Sequence, residues 1–436
     1  MSSLENNVSP ARKTSRFFGV FATFCLLLVW SNINTGFCFF DLPWDSLFNI
    51  SLVVRAALPF ILPFFFLIFY FRQDRRMRSS VNPAWWLGLY GVIALFSSLF
   101  SPEPYAAFYW GMAFLMGLWA PSLFFLRSPS ADYAPERIML YATWGMLAIF
   151  VVAMVFLFGA SLVEEREILG TANAAGEGFS TRSSGLGRFF GVMGVILAVW
   201  LFQGRSIFRF CLILPVLFCL RVVWVAQSRG AMFALLFSLL VVLITSRAKW
   251  LTFFITVIGV ALSLTLFHAA STQVKVQVVD QFRRGQTRTE FLSMTGRTRA
   301  YEKALVEIGK RPFFGAGNWT DRLTIHEHVH NSYLQALLNA GIIGFIPYLL
   351  SWIGALQLCF LIYRRQELLS GDQQILFLQS LAVTVFFLIR SIPETTTASF
   401  SVDQVVMVPV FYYLTVTYFR LKEKEECLKI PEKSIR

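Results

Sequence analysis

Along most of the chain, long apolar runs alternate with short polar breaks rich in arginine, and one break is far longer than the others. A helix needs about 20 apolar residues to cross the hydrocarbon layer of a bilayer. Runs of that order fall at 17–33, 48–71, 84–100, 106–126, 138–160, 186–203, 207–226, 230–246, 250–268, 342–362, 375–392 and 404–420. The pattern predicts an all-α polytopic membrane protein of about twelve transmembrane helices. Nine helices lie in residues 1–268, a hydrophilic loop covers 269–341, three more helices lie in 342–420, and a tail follows at 421–436. The first run follows Arg12, Lys13 and Arg16 with no clear small-x-small cleavage site behind it, and it reads as an uncleaved signal-anchor.

Composition agrees with the pattern. Hydrophobic residues make up 56% and charged residues only 14%, with 47 Phe and 12 Trp, which is too apolar for a soluble chain of 436 residues. The net charge of +13 then acts as a topology signal. If the N-terminus is cytoplasmic, the cytoplasmic segments hold 21 Lys and Arg, whereas the opposite short loops hold only Arg166, Arg182, Arg188 and Arg229. By the positive-inside rule both termini face the cytoplasm and the long loop faces outward. No nucleic-acid partner is needed to explain the basic excess. Cysteines are scattered through spans, tail and outer surface without a pair or metal spacing.

The long loop has internal order. Within Arg297–Lys310, Tyr301, Ala304, Leu305 and Ile308 recur at helical spacing with charges on the other face, and Gly309 and Pro312 end the segment. That predicts an amphipathic helix suited to the membrane surface. Phe313-Phe314-Gly315-Ala316-Gly317 predicts a turn whose two glycines allow close approach of backbone to a ligand. A second helix is expected from Asn331 or Ser332, both good N-caps, to Gly341.

Three of the four histidines, His326, His328 and His330, sit just before that helix. A helix N-terminus disfavours imidazolium, so His330 is expected to be neutral and to act as a general base. Asn331 supports it, and the helix start offers N–H groups to a phosphate. Arg182 and Arg188, and Arg229 in Ser228-Arg229-Gly230, flank outer ends of spans, where arginine grips phosphate oxygens through a fixed, permanently charged fork. Other readings stay open. These arginines also fit interfacial snorkelling, and three alternating histidines fit zinc ligation from a strand, although no cysteine or close carboxylate joins them. Glu164, Glu165 and Glu167 fit either a solvated run or glycosidase-type acids. Arg55, Arg221 and Arg390 fall inside spans, where a charge demands a partner or a cavity.

Gly296-Arg297-Thr298, Lys310-Arg311-Pro312-Phe313-Phe314-Gly315-Ala316-Gly317, His330-Asn331-Ser332-Tyr333-Leu334-Gln335 and Ala340-Gly341-Ile342-Ile343-Gly344 occur in that order. The set, with Ser228-Arg229-Gly230, resembles the signature of the bacterial O-antigen ligase and polymerase superfamily. The resemblance implies a GT-C-like, inverting, metal-independent glycosyltransferase of the bacterial inner membrane, needing no cofactor. It would move a glycan from undecaprenyl pyrophosphate to an acceptor sugar on the periplasmic face. His330 matches the essential histidine, and Arg229 and Arg297 match the arginines assigned to pyrophosphate. Arg182 falls where a further arginine is common, but the usual following sequence is absent. Arg188, Gly315, Gly317, His326 and His328 are candidate supporting residues. The ligase, with lipid A core as acceptor, is favoured over a polymerase that uses the same donor and a second glycan. A lipid-linked glycan transporter would require internal repeats, and none is found.

The charge asymmetry makes a direct prediction. A cysteine introduced at Thr287 reacts with an impermeant maleimide on intact spheroplasts while one at Ser434 does not. The reverse labelling would overturn the topology.

Overall fold

The computed structural model describes residues 79–125, 134–162, 171–173, 180–204, 207–226, 228–245 and 297–429, together with Thr23, Leu26, Ala57, Phe60 and Ile61. Apart from those five positions, the expected spans at 17–33, 48–71 and 250–268 lie outside the described residues, as do 269–296 and the acidic run at 164–167. The described helices are α1 Pro83–Ser97, α2 Pro104–Trp119, α3 Pro135–Phe158, α4 Ser183–Gln203, α5 Ile213–Val225, α6 Arg229–Thr245, α7 Arg297–Lys310, α8 Ser332–Arg364, α9 Gly371–Arg390 and α10 Val402–Lys429. Among the described residues, eight candidate spans are long and apolar enough to cross a membrane, and α6 is a shorter apolar helix of 17 residues. The expected all-α class holds with one small departure among the described residues. Thr171–Asn173 and Ser180–Arg182 pair as an antiparallel ribbon, β1 and β2, just before α4.

Local sequence explains where the helices begin. Pro83, Pro104 and Pro135 each occupy the first turn, where a missing N–H costs nothing. Asn82 caps α1 by accepting from the Ala84 N–H at 3.0 Å, and Ser370 with Gln373 forms a reciprocal capping box at α9. Packing then follows the apolar faces: α8 runs along α1, α9 along α6, and α4 packs against α5 and α6. Buried polar side chains tie helices together inside the bundle. Gln379 accepts from Trp144 Nε1 at 3.2 Å and donates to the Ile196 carbonyl at 3.2 Å, linking α9 to α3 and α4.

The helix expected to stop at Gly341 and the span expected from 342 are one element, α8, broken at Gly341 with φ 58° and ψ −165°. That region of backbone space is essentially reserved for glycine. A break in a helix orphans carbonyls on one side and N–H groups on the other, and the Pro312–Gly317 turn supplies partners for both. Ala316 and Gly317 donate to the Leu338 and Asn339 carbonyls, each at 2.9 Å. Ile342 and Ile343 donate to the Pro312 and Phe313 carbonyls at 2.8 and 3.2 Å. The close approach that Gly315 and Gly317 permit is therefore made to the protein's own chain: an added Cβ would meet α8 backbone from Gly315 and Ser98 from Gly317.

Helix α7 forms as expected, but its apolar side faces inward. Tyr301, Ala304 and Ile308 pack on Ile325, Val329, Leu334 and Leu338, while Leu305 stays exposed. The expected surface-lying face is thus mostly a protein interface, because the histidine-bearing segment offers a complementary apolar strip.

Polar groups concentrate at the two ends of the bundle. At one end Asp403, fully buried at the start of α10, lies 2.6 Å from Arg390 Nη1 and 3.4 Å from Arg188 Nε. This supplies the partner that Arg390 demands inside a span. At the other end Arg420 pairs with buried Glu136 at 2.9 Å, and Arg365 with Glu425 at 2.8 Å.

Gly341→Ala is expected to destabilise the protein by at least about 1–3 kcal/mol from backbone strain alone, since its Cβ would also lie 2.3 Å from the Phe313 backbone. Gly145→Ala, where a Cβ meets nothing within 4 Å, is expected to be neutral or to stabilise α3 by up to about 1 kcal/mol. Thermal unfolding of the two variants in one detergent checks the contrast.

Candidate functional site

The site forms where the start of α8 crosses the connection between α9 and α10. Asn331 caps α8, its side chain accepting from the Tyr333 and Leu334 N–H groups at 2.9 Å each. Its amide also donates to the Ile392 carbonyl at 3.0 Å. Ser332 fastens the same connection: its N–H donates to the Ser391 carbonyl at 3.0 Å, and its hydroxyl donates to the Glu394 carbonyl at 3.0 Å and accepts from the Thr396 N–H at 2.7 Å. These bonds place Glu394 directly beneath His330.

His330 Nδ1 lies 3.1 Å from Glu394 Oε2, and Arg297 Nη2 lies 3.1 Å from Glu394 Oε1. The other Arg297 nitrogen donates to the Pro393 carbonyl. Burial by itself would raise the Glu394 carboxyl, but the bond from His330 and the charges of Arg390 and Arg297 outweigh it and hold it down at about 2. A carboxylate only accepts hydrogen bonds, so His330 carries its hydrogen on Nδ1 and leaves Nε2 as a lone pair with no hydrogen-bond partner among the described residues. His330 itself is pushed below its ordinary value, chiefly by burial and then by the charges of His328 and Arg297, against the opposing pull of Glu394. The imidazole is therefore neutral at pH 7. Its backbone is left-handed, with φ 49°, a conformation uncommon outside glycine and one that strains the residue it holds.

Arg229 begins α6 close enough to feel the charge of Arg297. Gly230 beside it has no side chain, and an added Cβ would come within 2.9 Å of Pro393, so the start of α6 sits tightly against the Glu394 connection. Arg297 pairs with Glu394, Arg390 and Arg188 pair with Asp403, and Arg229 lies beside the first pair. Arginine gathered at a partly buried surface suits contact with phosphate oxygens.

Residues 214–349 match the family model described as O-antigen ligase. Over that segment, about a third of its length, the chain is similar to the O-antigen ligase family. No curated protein matches it. The matched segment contains Arg229, Arg297 and His330 but ends before Glu394 and Asp403, which join the cluster from beyond it. The family groups glycosyltransferase-like ligases and polymerases that work on lipid-linked glycans in a membrane context.

Of the residues singled out by sequence, His330, Asn331, Arg229 and Arg297 come together here. Arg188 lies one layer deeper, on Asp403. His328 turns its Nδ1 to Asp321 at 2.6 Å and packs its ring edge-on against His330 at 4.2 Å. His326 is exposed at the end of a turn over Asp321–Ile325. The two inner histidines thus serve different carboxylates and do not converge as zinc ligands would. Arg182 closes β2 immediately before α4. Gly315 and Gly317 belong to the α8 break. Sequence reading missed Glu394 and Asp403. The buried charge of Arg390 was the available signal, because a span arginine requires a nearby acid and Asp403 lies only thirteen residues on.

With four histidines in the chain, imidazole 15N resonances are resolvable. His330 is expected to titrate below an ordinary imidazole and to be protonated on Nδ1 when neutral. Glu394→Gln removes the group that supports the charged form, so the titration should move lower still. A His330 that titrates at or above 6.5 in the intact protein would contradict the geometry.

Proposed function

We propose that this protein is an O-antigen ligase that transfers a glycan from undecaprenyl pyrophosphate to a sugar hydroxyl of lipid A core, with inversion at the anomeric carbon, on the periplasmic face of the inner membrane. One observation carries the reading: a neutral histidine with its Nε2 open, tied through Glu394 to a phosphate-competent arginine. Nε2 takes the proton of the acceptor hydroxyl as its oxygen bonds to the anomeric carbon. The bond from that carbon to the pyrophosphate oxygen breaks, and undecaprenyl pyrophosphate leaves with the electron pair. Glu394 keeps the imidazole in the Nδ1–H form and steadies the imidazolium as it appears, the role a buried carboxylate plays beside a histidine base. Arg229 and Arg297 meet the negative charge that grows on the leaving group. Permanent guanidinium charge does here what a divalent cation does at other pyrophosphate sites, so the reading carries no metal requirement. The gathering of Arg229 and Arg297 beside His330 supports a phosphorylated donor, and the family match supports a ligase or a polymerase, which differ only in acceptor.

Purified protein with lipid-linked donor and lipid A core, without nucleotide, tests the proposal. Transfer should occur, and replacing the core by a second lipid-linked glycan should abolish it; the opposite preference would make the protein a polymerase. His330→Ala should lower the rate by about 10²–10⁴, with donor binding intact. Arg297→Lys keeps charge but loses the fork and should lose much of the activity. A base must be unprotonated, so the rate should rise with pH through the lowered His330 titration and be flat by neutrality. A rate that falls over that interval would instead make His330 a cationic phosphate ligand.

A further inference from the structure

At the opposite end of the bundle from His330, the start of α3, the start of α9 and the last turns of α10 enclose a cavity of about 140 Å³. Its wall includes Arg137, Arg420, Lys424, Gln373 and Tyr413, with Glu136 as the acid. Three cations therefore surround one carboxylate, and that carboxylate is already engaged by Arg420 at 2.9 Å. Lys424 donates to the Leu368 carbonyl at 2.9 Å, which leaves ammonium hydrogens for another acceptor. The decisive group is Arg137. Its Nε is buried in the wall and has no hydrogen-bond partner among the described residues. A buried donor left unsatisfied is costly, and one that lines a cavity can be satisfied by an acceptor bound there.

We propose that this cavity is a binding site for a single phosphate group, held by Arg137 and Lys424 with Arg420 beside them. Size limits the ligand. The space admits a few ordered waters, and so a phosphate or a glycerophosphate head, and it is below the ~300 Å³ at which drug-sized ligand pockets begin. Chemistry sets the sign: the guanidinium fork of Arg137 and the compact charge of Lys424 match tetrahedral phosphate oxygens. The position, where three spanning helices end, allows two sources for that group, a phospholipid head reaching in from the bilayer or a free phosphate ion from solution. The site is separate from the His330 cluster and shares no residue with it, so it stands or falls independently of the proposed transferase activity.

The full-length protein in a neutral maltoside detergent tests this by thermal unfolding, with phosphatidylglycerol and inorganic phosphate as probes. Diacylglycerol and sodium chloride at matched ionic strength are the controls. Phosphatidylglycerol, inorganic phosphate or both should raise the midpoint of the natural protein. Arg137→Gln and the exposed-side-chain variant Lys424→Gln should each weaken the half-saturating concentration by about tenfold or more. Stabilisation by the lipid alone assigns the site to a membrane phospholipid; stabilisation by phosphate as well assigns it to the free ion. Equal stabilisation of the variants and the natural protein, or no response beyond the controls, overturns the proposal. Lys424 is solvent-exposed, so its variant keeps the test valid even if Arg137→Gln fails to fold.

Discussion

Glu394 is the point on which the functional end of this bundle depends. A carboxylate as buried as this would ordinarily take up a proton, yet it is kept ionised by a hydrogen bond from His330 and by the charges of Arg297 and Arg390. In return it fixes the tautomer of His330 and the position of Arg297. Removing one partner would leave the other without its counter-charge in a partly buried setting, where a stranded charge is costly. The arrangement is thus held by mutual dependence, and it draws α7, α8 and the α9–α10 connection into one unit.

A second carboxylate supports the first. Asp403 is fully buried between Arg390 and Arg188, so three spanning helices, α4, α9 and α10, are fixed to each other just below Glu394. Arg390 serves both layers, through an ion pair with Asp403 and through its charge on Glu394. His330 and Arg297, in the upper layer, stay partly exposed, where an anionic ligand can reach them.

The break in α8 solves a different problem. The helix that presents Asn331 and His330 must also continue as a span, and a straight helix would fix the direction of one by the other. Gly341 uncouples them, and the Pro312–Gly317 turn replaces the lost backbone bonds. The same turn links α7, which carries Arg297, to the histidine segment packed on its apolar face. Arginine and histidine are consequently placed relative to one another through rigid contacts on both sides.

Much of this was legible in the chain. Apolar run length gave the eight candidate spans and the shorter apolar helix α6 among the described residues, because crossing a membrane imposes a length and a hydrophobicity that are local properties. Helical periodicity and caps marked α7 and the start of α8, since those too depend on neighbours within a few residues. The histidine to watch followed from its place before a cap. What tertiary structure decided were the partners. Glu394 lies 64 residues from His330 and nothing about its own neighbourhood distinguishes it from a solvated acid. The inward turn of α7 depended on an apolar strip contributed from elsewhere in the chain, and the role of Gly315 and Gly317 depended on where α8 breaks. Sequence determines which elements can exist, because their causes are local; which charges meet is a matter of packing over long separations, and only the assembled bundle settles it.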